Sequence, residues 1–358
     1  MSEGLPPARR QAAWLRMAQH RGPMARLLWP LSWIFGVALA VRRHLYRMGL
    51  LRVHHLDVPV IVVGNVVVGG AGKTPCTMAL VSHLQARGWQ PGVVSRGHGR
   101  RGEEVVHVDT QTPASRVGDE PLLIHRRTGV PVCVARRRVD AARALRTRHP
   151  EVDILVCDDG MQHLALGRDL TVAVFDERGV GNGWLLPAGL LREPWPGQRT
   201  ALGMPDLVLR QRREHAAPVE LPGCANLPVF DAVRRLANKA FGPDDEHIEL
   251  ASLAGQPLAA VAGIARPEPF FDMLRERGLT LSATLPLPDH AGDEAYEALL
   301  QATPPTLVCT EKDAVKLFPL LKSHPAAQAW AVPLTLTPDP SFLSAVDARL
   351  AAAGHSPR

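Results

Sequence analysis

Residues 58–75, VPVIVVGNVVVGGAGKTP, leave the chain little choice of fold. The segment opens as an uncharged, β-branched run, the pattern of a strand buried on both faces of a parallel sheet. It breaks at Gly69-Gly70-Ala71-Gly72 and resumes with Lys73-Thr74 into a helix-compatible stretch over 75–87. Strand, glycine turn, Lys-Thr and helix in that order make a phosphate cradle. Glycines let backbone N–H groups turn inward, and the helix N-terminus adds favourable partial charge. The lysine reaches the terminal phosphates and the threonine hydroxyl takes Mg²⁺. The usual G-x-x-x-x-G-K-[ST] spacing asks for glycine at position 67, where Val67 stands. The cradle is therefore assigned to Val67, Val68, Gly69, Gly70, Ala71, Gly72, Lys73 and Thr74, as a nucleoside triphosphate site.

Basic-residue usage points the same way. Lysine occurs only at 73, 239, 312, 316 and 322, and arginine supplies nearly all other positive charge. A lysine at 73 in so arginine-biased a chain implies a site that takes a compact point charge and excludes a planar guanidinium.

At 358 residues the chain has room for about two domains of roughly 150 residues. With 46% hydrophobic and 21% charged residues it is globular in composition, not disordered. A net charge of +6 admits anionic partners without choosing among them. The five cysteines (76, 133, 157, 224, 309) have no metal-binding spacing, and three lie in apolar runs, as expected of reduced core residues in a cytosolic protein.

The first 55 residues stand apart. Arg9, Arg10, Arg16, Arg21 and Arg26 precede an apolar run from Leu27 to Val41, interrupted by Pro30 and followed by Arg42 and Arg43, with Trp14, Trp29 and Trp33 nearby. That run is shorter than the ~20 apolar residues of a spanning helix. Two readings remain open: a helix lying in a membrane interface, tryptophans at the headgroups and arginines on anionic lipid, or a helix packed on the domain.

From Val58 onward, apolar runs at 91–95, 130–134, 152–157 and 170–175 alternate with helical segments at 75–87, 120–128 and 136–147. Such alternation means βα units and a parallel sheet, with the loops after the strands gathered along one edge. Four of those loops carry chemistry. SRGHGR (95–100) combines flexible backbone with cations and suits an anionic ligand. GDEP (118–121) opens a helix, where Asp119 is either a functional carboxylate or simply a favourable charge at the helix start. CDDGMQH (157–163) ends an apolar strand in aspartate, the second half of a P-loop site, where the carboxylate holds a metal. GNGWLLPAGLLREPWP (181–196) mixes Trp184, Leu185, Leu186 and Trp195 with Arg192 and Glu193, and fits either a cover for a lipid-like substrate or an ordinary packed loop. Residues 213–240 read as a linker with a bridging strand. A second alternation over 241–358 reads as a smaller α/β domain carrying the polar clusters Pro288-Asp289-His290 and Thr310-Glu311-Lys312-Asp313. The domain reading is thus 1–55, 56–212, 213–240 and 241–358.

VGNVVVGGAGKTP, SRGHGR, GDEP, DDGMQH, LLPAGLLREP, PDH and TEKDAVK follow one another over residues 63–316. Seven motifs in this register, behind an arginine-rich apolar segment, resemble the tetraacyldisaccharide 4′-kinase family, the lipid A kinases of Gram-negative bacteria. The resemblance implies two α/β domains joined by a short β linker, with the active site between them. It implies ATP and Mg²⁺ as cofactors, and an acylated glucosamine disaccharide phosphate whose 4′-hydroxyl receives the γ-phosphate, giving lipid IVA. It also implies work at a membrane surface, the cytoplasmic face of the inner membrane, with no nucleic-acid partner. Carried over residue by residue, Lys73 and Thr74 serve phosphate and metal, Asp158 or Asp159 supplies the metal carboxylate and Glu193 assists there. Asp119, paired with His290, takes the hydroxyl proton. Arg96, His98, Glu120, Gln162 and Arg192 face the substrate. One position departs: His98 stands where the family usually has tyrosine.

Two rivals are membrane-associated switches. A partition-type ATPase places lysine directly before the two glycines, where Val68 stands. A GTPase needs N/T-K-x-D; Thr310-Glu311-Lys312-Asp313 has the wrong order, and Asn238-Lys239 is followed two residues later by Phe241.

Overall fold

The computed structural model describes residues 13–100, 102–196, 204–289, 291–302 and 306–357. The strands are β1 (Val60–Gly64), β2 (Pro91–Ser95), β3 (Val106–Val108), β4 (Val132–Val134), β5 (Ile154–Asp158), β6 (Leu170–Phe175), β7 (Leu207–Arg213), β8 (Val229–Leu236), β9 (Lys239–Phe241), β10 (His247–Glu249), β11 (Leu258–Ala262), β12 (Leu281–Pro286), β13 (Thr306–Thr310), β14 (Gln328–Val332) and β15 (Leu334–Pro338). The main helices are α1 (Pro23–Arg47), α2 (Lys73–Ala86), α3 (Asp119–Thr128), α4 (Arg138–Arg148), α5 (Glu268–Glu276), α6 (Asp293–Ala302), α7 (Glu311–Leu321) and α8 (Pro340–Ala352).

These strands form two sheets. The larger has the order β15-β8-β7-β6-β1-β5-β2-β4-β3, the smaller β10-β9-β14-β13-β11-β12. In the larger sheet β1 pairs in parallel with both β5 and β6. Every residue of β1, β5 and β6 is buried, because both faces of the sheet are covered. Alternate residues serve opposite cores. Ile61 and Val63 join Leu80 and Leu84 of α2, Leu122 of α3 and Phe342 of α8. Val60 and Val62 join Val139 and Leu145 of α4 together with Leu190 and Leu191. Burying each such side chain contributes about 1.5–3 kcal/mol. The smaller sheet is covered likewise, by Phe270, Phe271 and Leu274 of α5 on one side and by Tyr296, Leu299 and Leu317 of α6 and α7 on the other.

The C-terminal segment differs from the sequence reading, which placed all of 241–358 in the smaller domain. Pro333, which has no N–H, separates β14, in the smaller sheet, from β15. β15 then pairs antiparallel with β8 on the edge of the larger sheet. α8 follows it there, burying Phe342, Val346 and Leu350. β8 and β15 are therefore the two adjacent connections between the bodies. The linker expected to start at 213 starts later than β7, which runs through Arg213.

α1 also corrects an expectation. Pro30 does not end it, and it runs for 25 residues, about 37 Å at 1.5 Å per residue, against a hydrocarbon core of about 30 Å. It is long and apolar enough to cross a membrane by length and composition. One stripe is docked: the Ser32 hydroxyl donates to Leu185 O at 2.8 Å and accepts from Ala188 N at 3.1 Å. The remainder exposes Leu27, Leu31, Trp33, Ile34, Val37 and Val41.

Candidate active site

The ends of β1, β2, β5 and β6 lie along one edge, with Val63 beside Asp158 in register. The chain turns out of β1 into the cradle. Gly69 and Gly72 adopt positive φ (87° and 71°), as the turn requires. A Cβ at Gly72 would stand 2.1 Å from Gln211 Oε1, and Gln211 Nε2 in turn donates to Gly72 O at 2.7 Å. Gly72 precedes α2, whose first turn has no side-chain cap and no acidic residue, so its leading N–H groups remain for an anion.

The position of the missing glycine is explained by pairing. Val67 is fully buried and forms an antiparallel bridge with Leu191, while Val68 N donates to Leu190 O at 2.9 Å and Arg192 N to Val66 O at 2.7 Å. Nothing there calls for positive φ. Val67 and Val68, counted with the cradle from the motif spacing, are its strand-like support and do not line the cavity; Gly70, Ala71, Gly72, Lys73 and Thr74 do.

That cavity, of about 200 Å³, lies between the two bodies. Beside the cradle it is lined by Asp176, Arg234 and Arg266, with Glu120, Asp289 and Lys312 also on its wall. Away from the cradle it is apolar, bounded by Met78, Leu123, Ile264, Phe270, Met273 and Leu334. A second cavity, about 390 Å³, lies on the other side of Asp159 and is lined by Arg42, Arg96, Arg136, Arg137, Arg138 and Arg192 together with Gln162 and His163. Burial, and then Arg138, Arg168, Arg42 and Arg137, push the His163 imidazole down to about 4, so it is neutral among these cations.

Lys73 links the two cavities: its Nζ stands 3.6 Å from Asp159 Oδ1. Arg192 Nη1 donates to the same oxygen at 3.2 Å. Burial works against the Asp159 carboxylate, but Lys73, Arg192 and Arg138 together hold it below the usual carboxylate range. Asp158 has the opposite environment. It accepts from the Thr77 hydroxyl at 2.8 Å through Oδ1, and its Oδ2 is buried without a hydrogen-bond partner. Burial first, then Glu120 and Asp159, push its carboxyl up to about 7 against the pull of Lys73. A buried carboxylate oxygen left unpartnered behind a phosphate cradle fits a divalent cation.

Asp119 opens α3 after Gly118, whose φ is 90°, and is 3% exposed. A Cβ at Gly118 would come within 3.0 Å of His98 O, so the SRGHGR loop and the start of α3 are in close contact. Two lysines of α7, from the other body, reach Asp119: Lys316 Nζ at 3.3 Å and Lys312 Nζ at 3.7 Å from Oδ2. Lys312 also meets Asp289 Oδ1 at 2.7 Å and Glu120 Oε1 at 3.8 Å. Burial alone would lower the Lys312 ammonium, but Glu120, Asp119 and Asp289 hold it well above its ordinary value.

The sequence-predicted residues are thus divided. Lys73, Thr74 and Glu120 meet at the first cavity, Arg96, Asp159, Gln162 and Arg192 at the second. Glu193 is not gathered with the aspartates: it pairs with Arg43 of α1 and ties that helix to the site. Among the described residues, no three His, Cys, Asp or Glu side chains form a metal-binding group. His98 is exposed in the loop over Gly118. His290 lies outside the described residues, although its neighbour Asp289 is at the cleft. Missed by the sequence reading were Lys312 and Lys316 as partners of Asp119, and Asp176 and Arg178 under the cradle. Asp176 had the same signal as Asp158, an apolar strand ending in aspartate.

A glycine turn and lysine after β1, an aspartate closing β5 and a second α/β body over the cradle define a P-loop phosphotransferase. The model of the family described as tetraacyldisaccharide-1-P 4′-kinase matches residues 24–351. A tetraacyldisaccharide 4′-kinase of Acidovorax sp. (strain JS42) is 53% identical over 352 residues, 97% of this chain and 96% of the relative. One from Polaromonas sp. (strain JS666 / ATCC BAA-500) is 53% identical over 337 residues, 92% and 94% of the two chains. The fold is similar to the Aquifex aeolicus LpxK crystal structure, described as an "apo" form in complex with ATP, with TM-score 0.74 and 24% identity over 91% of this chain and 99% of that one. The chain belongs to the tetraacyldisaccharide-1-P 4′-kinase family, and it is a kinase.

Proposed function

We propose that the protein transfers the γ-phosphoryl group of ATP to the 4′-hydroxyl of a tetraacylated glucosamine disaccharide 1-phosphate, at the cytoplasmic face of the inner membrane. The observation that carries this reading is the Lys73–Asp159 pair, which joins a phosphate cradle on one side to an arginine-lined cavity on the other. A nucleotide on the first and a phosphorylated acceptor on the second meet at Lys73.

Phosphoryl transfer is mainly positioning and charge neutralisation. Backbone N–H groups of the glycine turn and the start of α2 hold the phosphates, and Lys73 follows the transferring group. Thr74 and Asp158 would hold Mg²⁺, which when bound neutralises phosphate charge. The apolar end of the first cavity accommodates the base. Asp119, oriented by Lys316, takes the proton of the attacking hydroxyl, a contribution of typically 10²–10⁴-fold. The arginines hold the acceptor's own phosphate. α1, with its apolar face outward and Arg42 and Arg43 turned to the site, places this chemistry at a lipid surface and lets the acyl chains remain there.

The test is incubation with γ-labelled ATP and a tetraacyldisaccharide 1-phosphate, with the product mapped by phosphorus NMR. Label at the 4′ oxygen is the expected result. Hydrolysis of ATP at a rate indifferent to the acceptor would favour an ATPase switch instead.

A further inference from the structure

Beneath the glycine turn lies an ionic chain, buried at Asp176 and Arg178, to which the transfer chemistry assigns no part. Arg178, with a side chain only 3% exposed, donates through Nη1 to Val68 O at 3.0 Å and through Nη2 to Gly70 O at 3.1 Å. It therefore grips the main chain on both sides of Gly69, where a Cβ would stand 3.0 Å from its Nη1. Arg178 is itself fixed by Asp176, to which Nε donates at 3.0 and 2.9 Å. Asp176 is 1% exposed and follows directly on β6. Its Oδ2 takes one further cation, Arg266 Nη1 at 3.3 Å, which arrives from the other body on the loop after β11. Arg266 also reaches Glu177 Oε1 at 2.9 Å, and Glu177 Oε2 accepts from Arg234 of the connecting strand β8 at 2.6 Å. The same loop covers the turn, since Ala265 Cβ would be 3.6 Å from a Cβ at Gly70.

We propose that Arg178 and Arg266 are positioning residues for the cradle, coupled through Asp176, so that the glycine turn holds its phosphate-binding shape only while the loop bearing Arg266 is docked. A carboxylate shared by two guanidiniums carries such coupling because each orients it for the other, and in a dry site these charge-assisted bonds are strong and directional. Docking of the second body and gripping of phosphate then favour one another, as linkage requires. The inference rests on the reading of the cradle as a nucleotide site.

The experiment measures ADP and ATP affinities by calorimetry for the full chain and for Arg266→Ala, Arg266→Lys and Arg178→Lys, with amide hydrogen exchange of residues 68–72 in the nucleotide-free proteins. Arg266→Ala is expected to weaken ADP and ATP equally, by about tenfold, a usual size for coupled sites. It should speed exchange in 68–72, and Arg266→Lys should recover part of both. The double substitution Arg266→Ala/Arg178→Lys should cost less than the two singles multiplied, since residues in one network are not additive. Unchanged affinities and exchange in Arg266→Ala would overturn the coupling. A loss confined to ATP would overturn it too, by assigning Arg266 a direct contact with the γ-phosphate. Failure of the unaltered chain to bind either nucleotide would instead sink the underlying reading of the cradle.

Discussion

Lys316 donates to Asp119 across the cleft at 3.3 Å, so the carboxylate at the start of α3 is held by the body opposite to the one that carries it. Lys316 is itself anchored, donating to Ala291 O at 2.9 Å. The position of Asp119, beside the cavity-lining Glu120 and Lys312, therefore depends on how α3 and α7 meet. This arrangement argues against the plainer reading of Asp119 as a charge placed only to suit the helix dipole. Its carboxylate is paired with Lys316 and Lys312 of the opposite body, contacts that a charge serving the helix start alone does not need.

Lys73→Ala is expected to lower kcat by roughly 10²–10³, the range for loss of one electrostatic contact to a reacting group. Lys73→Arg should be almost as damaging, because Lys73 is 11% exposed and 3.6 Å from Asp159, and a planar fork does not put a compact point charge in the same place. Circular dichroism should show both variants folded. Near-normal turnover in the arginine variant would refute the point-charge argument.

Val67→Gly restores the motif's usual spacing yet should harm the protein. It removes a fully buried side chain from the core and frees the backbone in a paired segment. Loss of the burial amounts to about 1.5–3 kcal/mol, and glycine in a strand costs about 0.5–1 kcal/mol more. A lower thermal midpoint with no gain in nucleotide affinity is expected. A stable variant that binds ATP more tightly would contradict the support role given to Val67.

Asp158 gives a pH dependence with a definite sign. Its carboxyl is raised from 3.8 to about 7 by burial, so the folded state holds the proton more tightly than the unfolded chain does. The associated stability is fully present below the unfolded value and is lost as pH rises through about 7. Without ligands, the thermal midpoint should fall between about pH 5 and pH 8 more in the unaltered protein than in Asp158→Asn. Added Mg²⁺ with nucleotide should stabilise more at the higher pH, where the carboxylate is ionised. Parallel pH profiles for the two proteins would contradict the raised carboxyl of Asp158, and equal stabilisation of both by Mg²⁺ with nucleotide would remove its cation role.

Deletion of residues 1–47 is expected to abolish co-sedimentation with anionic phospholipid vesicles. Affinity for ATP should survive, weakened only by loss of the Leu15 and Ala18 packing, because the polar and paired supports of the cradle (Leu190, Leu191, Arg178 and Gln211) lie after the deletion. Undiminished vesicle binding by the shortened chain would show that the exposed face of α1 is not the lipid contact.

The parallel core and the cradle were readable because they are local patterns. VIVVG and ILVCD are apolar without alternation, which only a strand covered on both faces requires, and the glycine-lysine turn must follow such a strand. The return of β15 to the larger sheet was not readable, since its pairing with β8 joins residues about 100 positions apart and nothing in LTLTP names its partner. α1 shows a similar limit. Its composition suits a packed or a lipid-facing helix, and only the docking of Ser32 beside exposed Leu27 and Ile34 shows that one helix has both kinds of face. Within the site, Lys73, Asp158 and Asp159 were found by spacing. Lys316 and Arg266 were not, because their partners are brought close by the fold alone.

The most direct test of the account is kcat, nucleotide affinity and thermal midpoint for Asp119→Asn. This substitution keeps the shape of the side chain but removes its negative charge and much of its basicity. If Asp119 takes the proton of the acceptor hydroxyl, kcat should fall by about 10²–10⁴ while KM for both substrates changes little. The thermal midpoint should stay close to that of the unaltered protein, apart from the loss of the Lys316 and Lys312 pairs. A protein slightly destabilised, by about 1 kcal/mol, but turning over normally would mean that Asp119 serves only the helix and its lysines, and the proposed chemistry of the cleft would be wrong.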